Sequence, residues 1–373
     1  MLKVGITGQN GFIGKHLYNT LGLFPHEFER VNFQKDFFEN ENKLDDFVAK
    51  CDVIVHLAAM NRDPDPQVIY NTNIELVKKL VASLNKNKSK AHIIFSSSSQ
   101  EEKDNLYGKS KREGRELMAN WARDSDGRFS GMIIPNVFGP FGLPDYNSVV
   151  ATFCYKVSHN LSPKIDVDGE MKLIYVGELV EEILNGIRSE KSNFELHVPY
   201  TSVCKVSELL KLLIKYKTDY QDKGIIPQLN NHFEMNLFNT FRCYMDIENY
   251  FPVKFNQHID PRGAFVEVIR LNVGGQVSFS TTVPGITRGN HFHTRKIERF
   301  AVIKGKALIQ LRQIGTDKVL DFYLDGKEPA YVDMPVWFTH NIKNIGEEEL
   351  YTIFWINEFF NPDDADTYFE NVV

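Results

Sequence analysis

The chain has 373 residues, of which 42% are hydrophobic and 25% charged, with a net charge of −6. That length suits two cores at roughly 150 residues per domain, the composition is that of folded protein, and the acidic balance argues against nucleic acid or an acidic membrane surface as the main partner. Cys51, Cys154, Cys204 and Cys243 form no Cys-x-x-Cys pair and read as reduced thiols, and no apolar run is long enough to span a bilayer, so a cytoplasmic protein is expected.

The apolar Val4-Gly5-Ile6 reads as a strand that runs into Thr7-Gly8-Gln9-Asn10-Gly11-Phe12-Ile13-Gly14, after which Leu17 and Leu21 continue at helical spacing. A strand, a glycine turn and a helix N-terminus in that order present backbone N–H groups and a positive helix end to a pyrophosphate, so a dinucleotide is the expected ligand. Residues 27–33 read as a second strand. Its tip, Asn32-Phe33-Gln34-Lys35, carries no carboxylate for a ribose hydroxyl, which favours NADP over NAD; Asp36 would favour NAD if the strand ended later. Residues 52–59 form a continuous apolar run of the kind found in parallel strands buried on both faces, with His56 inside it as a core histidine bonded to backbone. Residues 73–85 have helical spacing, and 91–99 form a further strand ending in Ser96-Ser97-Ser98-Ser99.

Lys111 follows Tyr107 by four positions, which on a helix places both side chains on one face. A lysine ammonium near a phenol favours the phenolate, and a serine hydroxyl at the preceding strand end can bond the same oxygen, an arrangement suited to carbonyl reduction.

The glycine loop, Leu57-Ala58-Ala59, the serine strand end, Tyr107-x-x-x-Lys111 and Pro135-Asn136-Val137-Phe138-Gly139-Pro140 resemble the extended short-chain dehydrogenase/reductases that act on nucleotide sugars, over about residues 1–245. The resemblance implies an α/β Rossmann-like, doubly wound parallel sheet. It assigns Ser98, or its neighbour Ser97, to orienting the carbonyl, Tyr107 to donating the proton, and Lys111 to supporting it. It also implies NADPH contacts from Gly8, Gly11, Phe12, Ile13, Gly14, Leu57, Ala58, Ala59, Tyr107 and Lys111. The serines stand closer to Tyr107 than in most of that family.

Residues 141–160 mix a loop with an aromatic helical stretch in which Lys156 is a candidate phosphate contact or a solvated lysine. Residues 173–176 read as a strand, 203–216 as an amphipathic helix, and 228–250 as the connection between an NADP-binding domain over 1–250 and a second domain over 251–373. Short strands then follow at 276–282, 299–303, 306–312, 318–323, 330–332 and 350–356, which indicates an all-β sandwich or barrel.

Within that region His291-Phe292-His293 points two imidazoles to one side, and Glu298 and His340 complete a three-nitrogen, one-oxygen shell suited to a divalent metal, with Zn²⁺ the expected ion. These motifs resemble the cupins, with Trp337 where the second cupin motif usually has glycine. The carry-over names His291, His293, Glu298 and His340 as ligands. A metal-free barrel is the alternative, because Thr287-Arg288-Gly289-Asn290-His291-Phe292 is also similar to deoxysugar 3,5-epimerases in which the first histidine is a base.

The whole chain, including residues 146–155 and Asn361-Pro362-Asp363-Asp364-Ala365-Asp366-Thr367-Tyr368-Phe369, resembles the bifunctional reductases of capsular polysaccharide and O-antigen synthesis. That resemblance implies C3 epimerisation in the cupin followed by NADPH-dependent C4 reduction of UDP-2-acetamido-2,6-dideoxy-β-L-arabino-hexos-4-ulose, a UDP-linked 4-keto-6-deoxy-N-acetyl sugar. The product would be UDP-N-acetyl-6-deoxy-L-talosamine, toward UDP-N-acetyl-L-fucosamine, and the enzyme a homodimer. The runner-up is a plain 4-ketoreductase whose cupin is structural or dimerising.

Overall fold

Val4 and Ile6 have almost no solvent exposure, and the strand that carries them, β1 (Leu2–Thr7), lies between two parallel neighbours. This is the physical reason for its uninterrupted apolar character. The computed structural model describes residues 1–261 and 263–373. From β1 the chain alternates through α1 (Phe12–Leu21), β2 (Phe28–Val31), α2 (Glu41–Lys50), β3 (Val53–His56), α3 (Pro66–Lys86), β4 (His92–Ser98), α4 (Leu106–Ser125) and β5 (Arg128–Ile134). It continues with β6 (Asn136–Phe138), α5 (Val149–Ser158), β7 (Glu170–Tyr175), α6 (Val176–Arg188), β8 (Asn193–His197) and β9 (Ser202–Lys205).

Six of these strands form one parallel sheet in the order β2-β1-β3-β4-β5-β8. One face packs Leu44, Phe47, Leu80, Leu84, Met118 and Trp121 of α2, α3 and α4; the other packs Leu17, Leu21, Leu179, Ile183 and Leu184 of α1 and α6. The doubly wound α/β sheet expected from the sequence is therefore present. Strand order reverses between β1 and β3, and ligands of such sheets bind outside the carboxyl ends of the strands at that point. The three strands β6, β7 and β9 form a separate small sheet.

Local differences from the sequence reading have local causes. The helix expected from residue 73 begins at Pro66, because the Asp65 side chain accepts from Gln67 N and proline is tolerated in the first turn. The helix expected over 203–216 is shorter, because Ser202–Lys205 pairs antiparallel with β7 before α7 (Val206–Tyr216) starts.

By its contacts the chain divides into two compact units, Met1–Thr152 with Val167–Val206, and Phe153–Asp166 with Ser207–Val373. The segment 207–250, read from sequence as the end of the first domain, falls in the second unit of this division. There α8 (His232–Arg242) is capped by Asn231, whose side chain accepts from Glu234 N, and buries Leu237, Phe238 and Phe241. Arg242 Nη2 donates to Met334 O at 2.9 Å, and Tyr220 Oη donates to Asp333 Oδ2 at 2.7 Å. Arg299 closes the cluster with a two-pronged pair to Asp333, at 2.8 and 2.9 Å.

After the short α9 (Ile247–Tyr250), the second unit is built from β10 (Val253–Lys254), β11 (Gln257–Asp260), β12 (Gly263–Val266), β13 (Gln276–Thr282), β14 (Thr287–Phe292), β15 (Glu298–Lys304) and β16 (Lys306–Gln313). Then come β17 (Val319–Asp325), β18 (Ala330–Met334), β19 (Phe338–Asn344), β20 (Leu350–Ile356) and β21 (Tyr368–Phe369). Two five-stranded antiparallel sheets result, ordered β10-β18-β15-β20-β13 and β17-β16-β19-β14-β21. This is the all-β architecture that the cupin resemblance implied.

Candidate active site and metal centre

In the first unit the glycine loop closes tightly on the end of β3. Gly8 has φ +79°, a backbone conformation that favours glycine, and a Cβ there would stand 2.9 Å from Ala58 N. Gly11 N donates to Gly8 O at 2.9 Å, and Gly11 is the N-cap of α1. Gly8, Gly11, Phe12, Ile13 and Gly14 thus surround the first helix turn, while Leu57, Ala58 and Ala59 follow the adjacent strand. At the tip of β2, Gln9 Nε2 donates to Asn32 Oδ1 at 3.0 Å and Phe33 N donates to Gln9 Oε1 at 3.2 Å, so this tip is tied to the glycine loop. Asp36 is paired with Lys43 at 2.6 Å. Arg30 stacks over the Tyr18 ring at 4.3 Å and donates to Tyr18 O.

Alternation along β4 separates the serines. Ser97 is buried on one side, where its hydroxyl bonds the Glu101 carboxylate, and Glu101 in turn pairs with Arg115 at 2.8 Å. Ser98 faces the other way, accepting from Gln100 N at 3.2 Å and bonding the Tyr107 phenol. Of the two serines left open by the sequence, Ser98 is the one that meets Tyr107.

The short connection from Ser98 to Tyr107 is held by two contacts at the start of α4. Asn105 caps it, its Oδ1 accepting from Gly108 N at 2.7 Å. Gly108 itself lies so near the preceding turn that a Cβ would stand 1.9 Å from Gln100 O.

Burial pushes Tyr107 up to about 12, with the Ser98 hydroxyl pulling the other way and Tyr146 adding to the rise. Burial also pushes Lys111 down to about 8, while Glu101 opposes the fall. The phenol is thus raised, where the sequence reading expected Lys111 to lower it; burial is the largest cause. Burial lowers His56 to about 3, the charge of Lys111 adding to the effect. Its ring bonds the Thr7 hydroxyl at 2.8 Å, where the sequence reading anticipated a backbone partner.

One residue missed in the sequence is Asn73 on α3. Buried, it accepts from Met60 N at 2.7 Å and donates to Met60 O at 3.1 Å and to Ser110 Oγ at 3.1 Å; Ser110 donates to Tyr107 O at 2.7 Å. An amide on the buried face of a helix, between Ile69 and Val77, is the signal that could have found it. Arg62 is a second, donating to Tyr146 O at 2.9 Å and so fixing the loop that brings Tyr146 near Tyr107.

In the second unit His291, His293, Glu298 and His340 converge, with one potential ligand atom of each lying within 4.8 Å of all the others. Each imidazole donates one N–H to a carbonyl: His291 to Gly289, His293 Nδ1 to Asp366 at 2.5 Å, and His340 Nδ1 to Phe338 at 3.2 Å. Since a carbonyl only accepts, the second nitrogen of each ring is left to face the others. His293 Nε2 lies 3.0 Å and His340 Nε2 3.2 Å from Glu298 Oε2. His340 Nε2, although buried, meets no partner in hydrogen-bond geometry.

Burial works against the charge on His293 and Glu298, but their mutual contact outweighs it. His293 is raised, and Glu298 is held below the usual carboxylate range, where His340 contributes too. Burial, with His340 and His293 adding to it, lowers His291 to about 4. Three nitrogens and a carboxylate turned on one point form an electron-rich set that a divalent cation would satisfy, so these residues fit a metal. Trp337, where the cupin pattern has glycine, has φ +63° and donates its N–H to His293 O at 2.8 Å. The left-handed turn is thus kept, with a tryptophan adopting it.

Residues 4–195 match the NAD dependent epimerase/dehydratase family, and residues 258–368 match a polysaccharide biosynthesis C-terminal domain. A UDP-2-acetamido-2,6-beta-L-arabino-hexul-4-ose reductase from Pseudomonas aeruginosa is 32% identical over 98% of both chains. The crystal structure of the capsular polysaccharide assembling protein CapF from Staphylococcus aureus is similar over 100% of both chains, with a TM-score of 0.63 and 34% identity. RMD from Pseudomonas aeruginosa, solved with NADPH, shares the fold over 58% of this chain and 83% of its own, with a TM-score of 0.53 and 20% identity.

Proposed function

The chain belongs to the NAD dependent epimerase/dehydratase family, and from that membership we propose that it is a bifunctional nucleotide-sugar enzyme. It inverts C3 of UDP-2-acetamido-2,6-dideoxy-β-L-arabino-hexos-4-ulose in the C-terminal unit and reduces the C4 ketone in the N-terminal unit. The product is UDP-N-acetyl-6-deoxy-L-talosamine, a precursor of UDP-N-acetyl-L-fucosamine for capsule or O-antigen. The observation that carries the reading is the Ser98–Tyr107 contact, with buried Lys111 one helical turn on, in the unit that also carries the glycine loop. The full-length similarity to a relative named as a hexulose reductase supports the substrate class.

NADPH, when bound, supplies the hydride to C4. The protein's own part is protonic. Ser98 orients the ketone oxygen by donating a hydrogen bond, and Tyr107, whose phenol holds its proton at neutral pH, gives that proton to the developing alkoxide. The phenolate left behind is a buried anion, and the Lys111 ammonium, still largely protonated at pH 7, is the cation that offsets it. The preference for NADPH is supported by the β2 tip, where Asn32 is tied to Gln9 and Asp36 to Lys43.

In the second unit His291, His293, Glu298 and His340 would hold a divalent ion, Zn²⁺ by its preference for this donor set. Such an ion would polarise a ketone and acidify the adjacent C–H; C3 inversion further requires a base to take that proton and an acid to return one on the opposite face. A cytoplasmic homodimer completes the proposal; among the described residues no helix is long and apolar enough to cross a membrane.

The test of the reductase half is NADPH oxidation with the UDP-linked 4-keto-6-deoxy sugar by wild type and Tyr107→Phe. The reading requires turnover in the first and a loss of about 10²–10⁴-fold in the second. Wild type that leaves NADPH unoxidised with this substrate would overturn it.

A further inference from the structure

His293 is the only metal-ligand candidate on the His-x-His motif that lies beyond the end of its strand: β14 stops at Phe292. The ladder therefore does not place its ring, and the C-terminal segment does. After the turn at Pro362–Asp364 the chain enters β21, which pairs with the end of β14 so that Phe369 opposes His291 and Tyr368 opposes Phe292. Asp366 stands just before that strand, buried, with φ +39°. Aspartate adopts this conformation more readily than most residues, and it persists where the surroundings over-determine it.

The surroundings of Asp366 do so. Its Oδ1 accepts from Thr294 N at 3.0 Å and Thr294 Oγ1 at 2.6 Å, and its Oδ2 accepts from Arg295 N at 3.0 Å and Lys296 N at 3.1 Å. Its backbone carbonyl accepts the His293 Nδ1 proton at 2.5 Å. One residue thus holds four consecutive positions, 293–296. Lys296 Nζ reinforces the attachment by donating to Ala365 O at 2.6 Å.

The other two imidazoles bond carbonyls of their own strands. His291 bonds Gly289 within β14, and His340 bonds Phe338 within β19. For His293 the Nδ1 proton, whose placement leaves Nε2 for a ligand bond, is held by the tail.

We propose that Asp366 is the positioning residue for His293, so that the C-terminal segment is a working part of the metal centre. This rests on the metal reading given above. Asp366 touches no ligand atom position; it acts through His293 and through the turn that follows. Outer partners of metal-binding histidines usually contribute about 10–100-fold to affinity.

The experiment uses the full chain, stripped of metal and titrated with Co²⁺. Affinity is read by competition with a chelator, ligand geometry by the Co²⁺ d–d absorption, and folding by thermal melting. Wild type is expected to bind Co²⁺ with a resolved d–d spectrum, and Asp366→Ala to bind about 10–100-fold more weakly with shifted bands. Asp366→Ala that melts lower but keeps wild-type affinity and spectrum would show a merely structural role and overturn the inference. Should Asp366→Ala fail to fold, Thr294→Val removes one of the carboxylate's donors and leaves the rest. It must show a smaller loss with bands shifted in the same direction, and wild-type values in that variant also overturn the proposal. Wild type that takes up no Co²⁺ would refute the metal reading itself, and this inference with it.

Discussion

Gly108→Ala tests whether the short connection between the serines and Tyr107 sets the reductase geometry. The added Cβ would lie 1.9 Å from Gln100 O and 2.7 Å from Gln100 C, whereas real Cβ contacts essentially never fall below 3.0 Å. The obstacle is backbone rather than a side chain that could swing aside, so the first turn of α4 and the turn after Ser98 must separate by at least 1.1 Å, the difference between 3.0 and 1.9 Å. Overpacking of this kind costs about 1–3 kcal/mol. For a unit of this size each kcal/mol lowers the melting temperature by about 2–4 °C. The catalytic effect should be the larger one, because Tyr107 and Ser98 lie on either side of the forced gap and a 1 Å misplacement costs about 10²-fold. The assay is steady-state NADPH oxidation with the 4-keto sugar nucleotide, run beside a thermal melt. Expected are a kcat reduced about 100-fold and a KM for NADPH near that of wild type. Gly169→Ala, where an added Cβ meets nothing within 4 Å, should leave both unchanged. A Gly108→Ala enzyme with wild-type kcat would refute the claim that this approach positions the proton donor.

Acid should destabilise the N-terminal unit before its carboxylates titrate. Burial lowers His16 to about 4 and His56 to about 3 from 6.5, so the unfolded chain binds protons the native unit refuses; their stability is full above pH 6.5 and falls as pH drops below it. At pH 5 the loss is about 2 kcal/mol for each, and urea midpoints at pH 7 and 5 should show a smaller difference in His56→Gln than in wild type; equal differences would contradict it. In the second unit, Asp333→Ala leaves the Arg299 guanidinium buried without its two-pronged partner and removes the acceptor of Tyr220. It should cost about 3–5 kcal/mol by denaturant titration, and Asp333→Ala with Arg299→Met should recover part of that. A double variant no more stable than the single one would argue against an uncompensated charge as the cause.

The parts of this molecule legible in the sequence were those whose pattern is local. The Gly8–Gly14 loop, the buried β3 run and the spacing from Tyr107 to Lys111 each announce their own structure, and the parallel sheet follows from their order. The strands at 276–282 and 350–356 were equally plain, because β-branched and aromatic residues mark them within a few positions. What the sequence concealed depends on partners far along the chain. Ser97 and Ser98 look alike until Glu101 and Arg115 claim one of them. Asn73 resembles any helix polar residue until Met60 and Ser110 are brought to it. The segment 228–250 reads as a connection between domains because the burial of Phe238 and Phe241 is tertiary, as is the Asp333 cluster. The raised Tyr107 was missed for a related reason: spacing shows that Lys111 shares its helix face, but only the fold shows how little water reaches the phenol.

The central claim is that one chain inverts C3 and reduces C4 at separate centres. It is tested most directly by incubating wild type and Tyr107→Phe with the UDP-linked 4-keto-6-deoxy sugar and NADPH in D₂O, and reading C3 by NMR. The account predicts C3 deuterium and inverted configuration in the wild-type product, and C3 deuterium without NADPH oxidation in Tyr107→Phe. NADPH oxidation by wild type, with no deuterium and the original configuration at C3, would contradict it and leave a ketoreductase alone.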